Sequence, residues 1–413
     1  MKNFLYASSI SLICCLFIFK VHTLKKSNSM INWKTETINT KRHTISEEYL
    51  VQLVDFHKTE LAFIKRPLTT YSIELLSHTT SLSIGQSFVV VNFTLLFFCG
   101  IALFYLAKLI LDDSRFSNFS VLFFYLSFTV LFSFFPANYS YDEPLQYLLI
   151  FLSFAALLKR KWVLFILWFT IAIIARESSI LILPAFALYF FGFTFKKPFQ
   201  TENIKRILAL VVPVVFYAVF LYLFITLSGI GKASQNDLTS RLSHFLFNFQ
   251  SQEYAVESFF SLALAIGVHV YFLFSYLSDN VLNGMEKKLV KSFLLTLIIN
   301  TIIVLISTLA RETRLFALPL IFIWPVFGKI LLHELKILGS PKNYLKLVNN
   351  ILPIGTLILL WAFCFLIYRF IYTQTNGVTK NYLDEYLLVM SALISLHFVI
   401  KMRLKHSQNT LLH

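Results

Sequence analysis

Residues 87–110 read SFVVVNFTLLFFCGIALFYLAKLI, an apolar run whose one charge is Lys108, and similar runs recur along most of the chain. As a helix such a run is long enough to cross a hydrocarbon core about 30 Å thick. In that solvent every backbone polar group needs a partner within the protein, which leaves only helices and closed barrels. Barrel strands alternate apolar and polar residues, and these runs do not, so the chain reads as helical. Composition agrees, with 57% of the 413 residues hydrophobic and 46 of them Phe. The expectation is an all-α membrane protein, one polytopic domain over 1–413. About twelve spans are predicted, at 4–21, 87–110, 117–135, 144–158, 162–175, 180–195, 207–229, 258–276, 292–310, 315–332, 349–370 and 382–400.

The formal charge of +15 does not point to nucleic acid, because the basic residues flank apolar runs and act there as topology signals. Placing the N-terminus in the cytoplasm puts Lys159-Arg160-Lys161, Lys205-Arg206, Lys287-Lys288 and Lys401 with Arg403 on the inner side. The expectation is therefore a multi-pass protein of the inner (plasma) membrane with both termini cytoplasmic. Residues 1–23 have the form of a signal peptide, yet no small-x-small cleavage site follows, so they are read as an uncleaved first helix. Cys14, Cys15, Cys99 and Cys364 all lie in apolar segments and suggest neither a disulfide framework nor a redox or metal site.

One pattern occurs twice. Residues 175–184 read ARESSILILP and residues 310–319 read ARETRLFALP. Each Arg-Glu pair interrupts an apolar run, where a charged side chain costs roughly 2.5–3.5 kcal/mol on insertion scales, so a partner or a task is expected for it. Spans 162–175 and 180–195 are short, roughly 21–24 Å as helix. The turn between them is read as lying below the outer membrane surface, where it is buried in protein or lines a cavity.

With this topology Arg176-Glu177, Arg311-Glu312 with Arg314, Asp142-Glu143 and the loop 22–86 share the extracytoplasmic side. Adjacent residues on a helix do not face one another, so pairing between motifs, or with Asp142, Glu143 or a loop acid, is expected. An arginine left over would offer a forked donor suited to phosphate. Asp142-Glu143-Pro144 also reads as a helix start. Within the loop, residues 45–56 set Ile45, Leu50, Leu53, Val54 and Phe56 among acids, the pattern of an amphipathic helix. No Walker motif, HExxH or nucleophile elbow is present, which argues against nucleotide-fuelled transport by this chain alone.

The order of these elements resembles a family. An external loop carries Glu47-Glu48-Tyr49 and then Lys65-Arg66-Pro67-Leu68, an external Asp142-Glu143-Pro144 follows, and a span ends in the first ARES. This resembles the multi-span integral-membrane glycosyltransferases of the C-type fold, over most of residues 1–195 and again at 310–325. The resemblance implies a sugar donor carried on a polyprenyl phosphate, an acceptor that is a cell-envelope glycan or glycolipid, and transfer on the extracytoplasmic face. It implies a loop carboxylate as base, Glu48 or Glu47 by position, with Asp55 a further candidate. That family typically shows Asp there, close after the first span, whereas this chain has Glu well after it. Arg66, Arg176, Arg311 and Arg314, with Glu177 and Glu312, would form the phosphate side of the site. Asp142 and Glu143 would hold a divalent cation, Mg or Mn, if one is used. Two other classes fit the same residues: a transporter or flippase of a lipid-linked or anionic solute, and an envelope polysaccharide polymerase or ligase.

Overall fold

The apolar runs form helices that end where a side chain can take over the orphaned backbone groups. A computed structural model describes residues 2–24, 29–33, 45–136, 140–191, 201–230, 241, 243–348, 351–366 and 383–409. In chain order its helices are α1 (Lys2–His22), α2 (Glu47–Thr59), α3 (Pro67–Thr79), α4 (Ile84–Leu111), α5 (Ser114–Leu126), α6 (Phe128–Phe132), α7 (Glu143–Leu158), α8 (Trp162–Ala175), α9 (Leu183–Phe191) and α10 (Thr201–Ser228). There follow α11 (His244–Phe249), α12 (Gln252–Leu277), α13 (Gly284–Ser307), α14 (Trp324–Leu338), α15 (Pro341–Val348), α16 (Ile351–Leu366) and α17 (Leu383–Asn409). Among the described residues no strand forms, and extended pairing is limited to one bridge, Ser29 to Pro136. The chain is an all-α membrane protein.

Among the described residues six helical stretches are long and apolar enough to cross a membrane: Asn3–His22, Ile84–Leu111, Asn203–Ser228, Gln252–Leu277, Gly284–Ser307 and Tyr386–Leu404. Four shorter apolar ones are Glu143–Leu158, Trp162–Ala175, Glu177–Phe191 and Pro353–Leu366. The other two predicted spans are broken. The run at 117–135 divides at Ser127, whose extended backbone separates α5 from α6 and whose hydroxyl bonds the Phe124 carbonyl. The run at 315–332 opens with two 3-10 turns, Thr313–Phe316 and Leu318–Phe322, before α14 begins with Pro325 in its first turn. The predicted span ends at 192–195, 349–350, 367–370 and 382 lie outside the described residues, as do 25–28 and 34–44 of the first loop.

α4 packs against α1, α5 and α7, and α5 against α14. Water is not the solvent on the outside of such a bundle, so close packing rather than expulsion of water holds it together. Trp324, fully buried, meets Phe124 edge-on at 4.9 Å and Tyr147 at 5.3 Å. Gly328 lets α14 approach α5, since a Cβ there would run into the Phe116 carbonyl and Ser120. Ser120 uses the gap: its Oγ accepts the Gly328 N–H and donates to the Pro325 carbonyl, both at 3.1 Å.

The first loop folds as two helices over the start of α4. α2 turns Leu50, Leu53, Val54 and His57 inward and leaves Glu48 and Asp55 exposed. Ser83 and Gln86 form a capping box at the N-terminus of α4. The Glu47 carboxylate joins it, accepting from Ser83 Oγ at 2.7 Å and from the Gly85 N–H at 2.9 Å. A Cβ on Gly85 would take the space of that carboxylate.

Candidate functional site

Two helix ends and one helix start meet around Glu143. α8 stops at Ala175, and Arg176 follows in extended backbone, which turns its side chain away from the helix it caps. α7 starts at Glu143 with Pro144 beside it, so its first carboxylate faces the turn that ends α8. Arg176 Nη1 donates to Glu143 Oε1. The same oxygen lies 3.1 Å from Arg314 Nε. Arg314 donates further to Glu312 Oε2 at 2.6 Å and to the Ser140 carbonyl at 2.6 Å.

Glu177 takes a different partner from Arg176. Arg66, at the start of α3, grips it with two hydrogen bonds of 2.7 and 2.6 Å, and Arg241 stands 3.8 Å off at the rim. The loop arginine is thereby tied to the first motif. Its remaining Nη1 lies 3.8 Å from Asp142 Oδ2.

Asp142 differs from its neighbours. It is wholly buried; among the described residues its carboxylate has the Thr69 hydroxyl alongside and Arg66 Nη1 at 3.8 Å, and neither oxygen receives a close hydrogen bond from a charged donor. Burial raises its pKa from 3.8 to about 7, against the pull of the Arg66 guanidinium. The acids Asp142, Glu143, Glu177 and Glu312 thus meet buried Arg66, Arg176 and Arg314. No guanidinium of this cluster is in excess, and the group left short of partners is a carboxylate.

The second motif is not equivalent to the first. α13 ends at Ser307, before the motif begins. Asn248 of α11 causes the early stop: its Nδ2 donates to the Leu305 and Thr308 carbonyls at 3.0 and 2.8 Å, and its Oδ1 accepts the Ala310 N–H at 3.0 Å. The turn is displaced along the chain, so Arg314 reaches the position at Glu143 that its sequence equivalent Ser179 does not claim. Arg311 stands outside the cluster. Its guanidinium lies over Tyr254 at 4.2 Å and near Phe247 at 5.4 Å, with Glu257 Oε2 at 3.6 Å. It is 28% exposed and none of its guanidinium N–H groups donates a hydrogen bond within the described residues.

The cluster gathers Arg66, Asp142, Glu143, Arg176, Glu177, Glu312 and Arg314. The three loop acids are engaged elsewhere or lie open: Glu47 caps α4, Asp55 pairs with Lys58 at 2.9 Å, and Glu48 is exposed. Gln146 passes unnoticed in the sequence. One turn past Glu143, it donates to Ser178 and Ser179, both at 3.0 Å, and fastens the first turn to α7. Its only signal is the helical spacing from Glu143. No group of three or more His, Cys, Asp or Glu able to hold a metal exists among the described residues.

Known protein families, curated proteins and solved structures give no match to this chain.

A second buried cluster lies where α12, α14 and α17 meet, at the far end of α14 from the repeat. Glu334 accepts from Ser275 Oγ at 2.5 Å and Lys401 Nζ at 2.8 Å, and His397 Nε2 stands at 3.1 Å. Tyr271 and His397 Nδ1 are 2.9 Å apart, and Lys401 also pairs with Asp279 at 2.7 Å. Between the clusters α12 buries His269, whose two ring nitrogens have no hydrogen-bond partner among the described residues. In the sequence Lys401 reads as a topology signal and His269 as a polar residue inside a span, expected to be satisfied by an interhelical hydrogen bond; Tyr271, Ser275, Glu334 and His397 carry no such signal.

Proposed function

We propose that the protein is a glycosyltransferase-like membrane enzyme. It transfers a sugar from a polyprenyl-phosphate carrier to a cell-envelope glycan or glycolipid on the extracytoplasmic face. The topology that goes with this reading has about twelve spans in the inner membrane, both termini cytoplasmic and both Arg-Glu turns outward.

The observation that carries the proposal is Asp142, a buried carboxylate that among the described residues is met only loosely, by the Thr69 hydroxyl and by Arg66 at 3.8 Å. A stabilising ion pair would be completed, as Arg66 and Glu177 are. An acid held near neutral pKa is suited to taking a proton at physiological pH. In the proposed step the acceptor hydroxyl oxygen bonds to the anomeric carbon while the bond from that carbon to the phosphate oxygen breaks. Asp142 takes the hydroxyl proton, and polyprenyl phosphate leaves with the electron pair. Arg311, held only by Glu257 at 3.6 Å and the Tyr254 and Phe247 rings among the described residues, is the arginine available to meet the charge gathering on phosphate. The base role passes to Asp142 in this reading because Glu47 is a helix cap and Glu48 and Asp55 face outward.

Purified protein in liposomes with polyprenyl-phosphate sugars and envelope-glycan acceptors is expected to release free lipid phosphate only when acceptor is present. Release from no donor, by protein shown to be folded, would refute the proposal. Product length separates transfer of one sugar from polymerisation.

A transporter or flippase is the second reading, favoured by the ionisable residues that α12 links: Glu257 near Arg311, His269 within the helix, and Ser275 at Glu334 and Lys401. Solute or lipid movement across vesicles without sugar transfer would select it.

A further inference from the structure

A cavity of about 60 Å3 lies beside Glu143, walled by Arg176, Arg314 and Ser178 and, from α13 and its end, by Asn300 and Thr308. One water takes roughly 10–15 Å3 of such space. The cavity therefore admits a few non-hydrogen atoms, a single substituent rather than a whole sugar.

Its electrostatics narrow the occupant. Glu143 Oε1 is shared by Arg176 and Arg314, but Oε2 is buried with no hydrogen-bond partner among the described residues. A buried acceptor left unsatisfied is costly, so the occupant is a hydrogen-bond donor. An ammonium group would donate but would face the two guanidinium groups. A phosphate or carboxylate would face Glu143. An uncharged hydroxyl meets neither objection. Ser178 Oγ accepts from Gln146, which leaves its hydroxyl hydrogen for the oxygen of that occupant. Ile303, also on the wall, is 40% exposed, so one side of the cavity lies against the outer surface of the bundle. A ligand held in the bilayer by a lipid tail can approach from there.

We propose, resting on the functional reading above, that this cavity is a specificity subsite for one uncharged hydroxyl-bearing substituent of the transferred sugar. The hydroxymethyl group of a hexose fits it, with the hydroxyl donating to Glu143 Oε2. A pentopyranose lacks that group and leaves Glu143 unsatisfied.

The test compares a polyprenyl-phosphate hexopyranose with the matching pentopyranose. Binding is read as donor-induced thermal stabilisation of the full protein, which requires no turnover, and transfer is followed separately. Because the analogue without the hydroxyl leaves a buried carboxylate oxygen unpaired, discrimination is expected to be on the order of 10⁴-fold. Ser178→Leu fills the cavity while Ser179 retains Gln146, and it is expected to collapse the hexose-to-pentose binding ratio to near one. Thr308→Leu fills it from the other wall and serves if Ser178→Leu does not fold. Folded variants that keep the wild-type ratio overturn the subsite, as does a wild type that transfers both sugars without preference; in that last case the enzyme reading stands. Hexose-selective binding that the fillers abolish supports the subsite, even where no transfer follows and the enzyme reading falls. Wild-type protein that binds neither donor overturns the subsite.

Discussion

Replacing Asp142 by Asn is expected to make the protein more stable at pH 8 while abolishing transfer. Asn has the same shape and no charge, so the exchange removes the cost of ionising a buried group that is only loosely partnered. The raised pKa fixes the sign. In the unfolded chain the carboxyl releases its proton near pH 3.8, and in the folded protein it keeps it to about 7. Between those values the folded state binds the extra proton, so its stability falls as pH rises through that window and levels off above it. Each unit is worth about 1.4 kcal/mol, so wild type loses about 3 kcal/mol between pH 5 and pH 8 through this group. The amide of the variant does not titrate, and the other titrations are common to both proteins. The stability gap in favour of Asp142→Asn should therefore widen by about that much between pH 5 and pH 8. Denaturant unfolding in detergent at both pH values measures it, alongside release of lipid phosphate. A gap that does not change with pH, or a variant less stable at pH 8, would mean that Arg66 already satisfies an ionised Asp142. The case for a poised base would then fail.

Glu143→Gln should destabilise the fold by roughly 3–5 kcal/mol, because Arg176 and Arg314 both lose their shared carboxylate in a buried setting; unfolding in detergent would show it. Arg311→Ala is expected to cost at most about 1 kcal/mol of stability, as its one ion pair is loose and partly exposed. It should nevertheless lower lipid-phosphate release by at least tenfold, and an active variant removes Arg311 from the site. Glu48→Gln should retain transfer within about twofold, and its loss in folded protein would return the base role to the first loop.

The helical class was legible because a run such as 87–110 has no other way to satisfy its backbone in lipid. The cross-wise pairing was legible in outline, since neighbours such as Arg176 and Glu177 cannot face one another. Which arginine serves Glu143 was not. The sequence aligns Arg311 with Arg176, but Asn248, far away in the chain, stops α13 early and puts Arg314 there instead. The breaks at Ser127 and before α14 escaped the hydropathy pattern for a similar reason. A serine or proline in an apolar run leaves its mean hydropathy almost unchanged and still interrupts the helix. Asp142 looked like an ordinary helix start, and its isolation depends on how Arg66 divides itself between two acids, which no local spacing records.

The sharing of Glu143 also bears on how the chain enters the bilayer. α7 and α8 form an antiparallel hairpin that brings Glu143 and Arg176 together, so these opposite charges can cross as one neutral unit soon after synthesis. Arg66 precedes Glu177 by 111 residues and has no such companion until the hairpin arrives. Arg314 comes with Glu312 at its side, already half neutralised, and needs only a place to dock. The α7–α8 hairpin is thus the step on which both later dockings wait, and an error there would strand an arginine at each end of the assembly line.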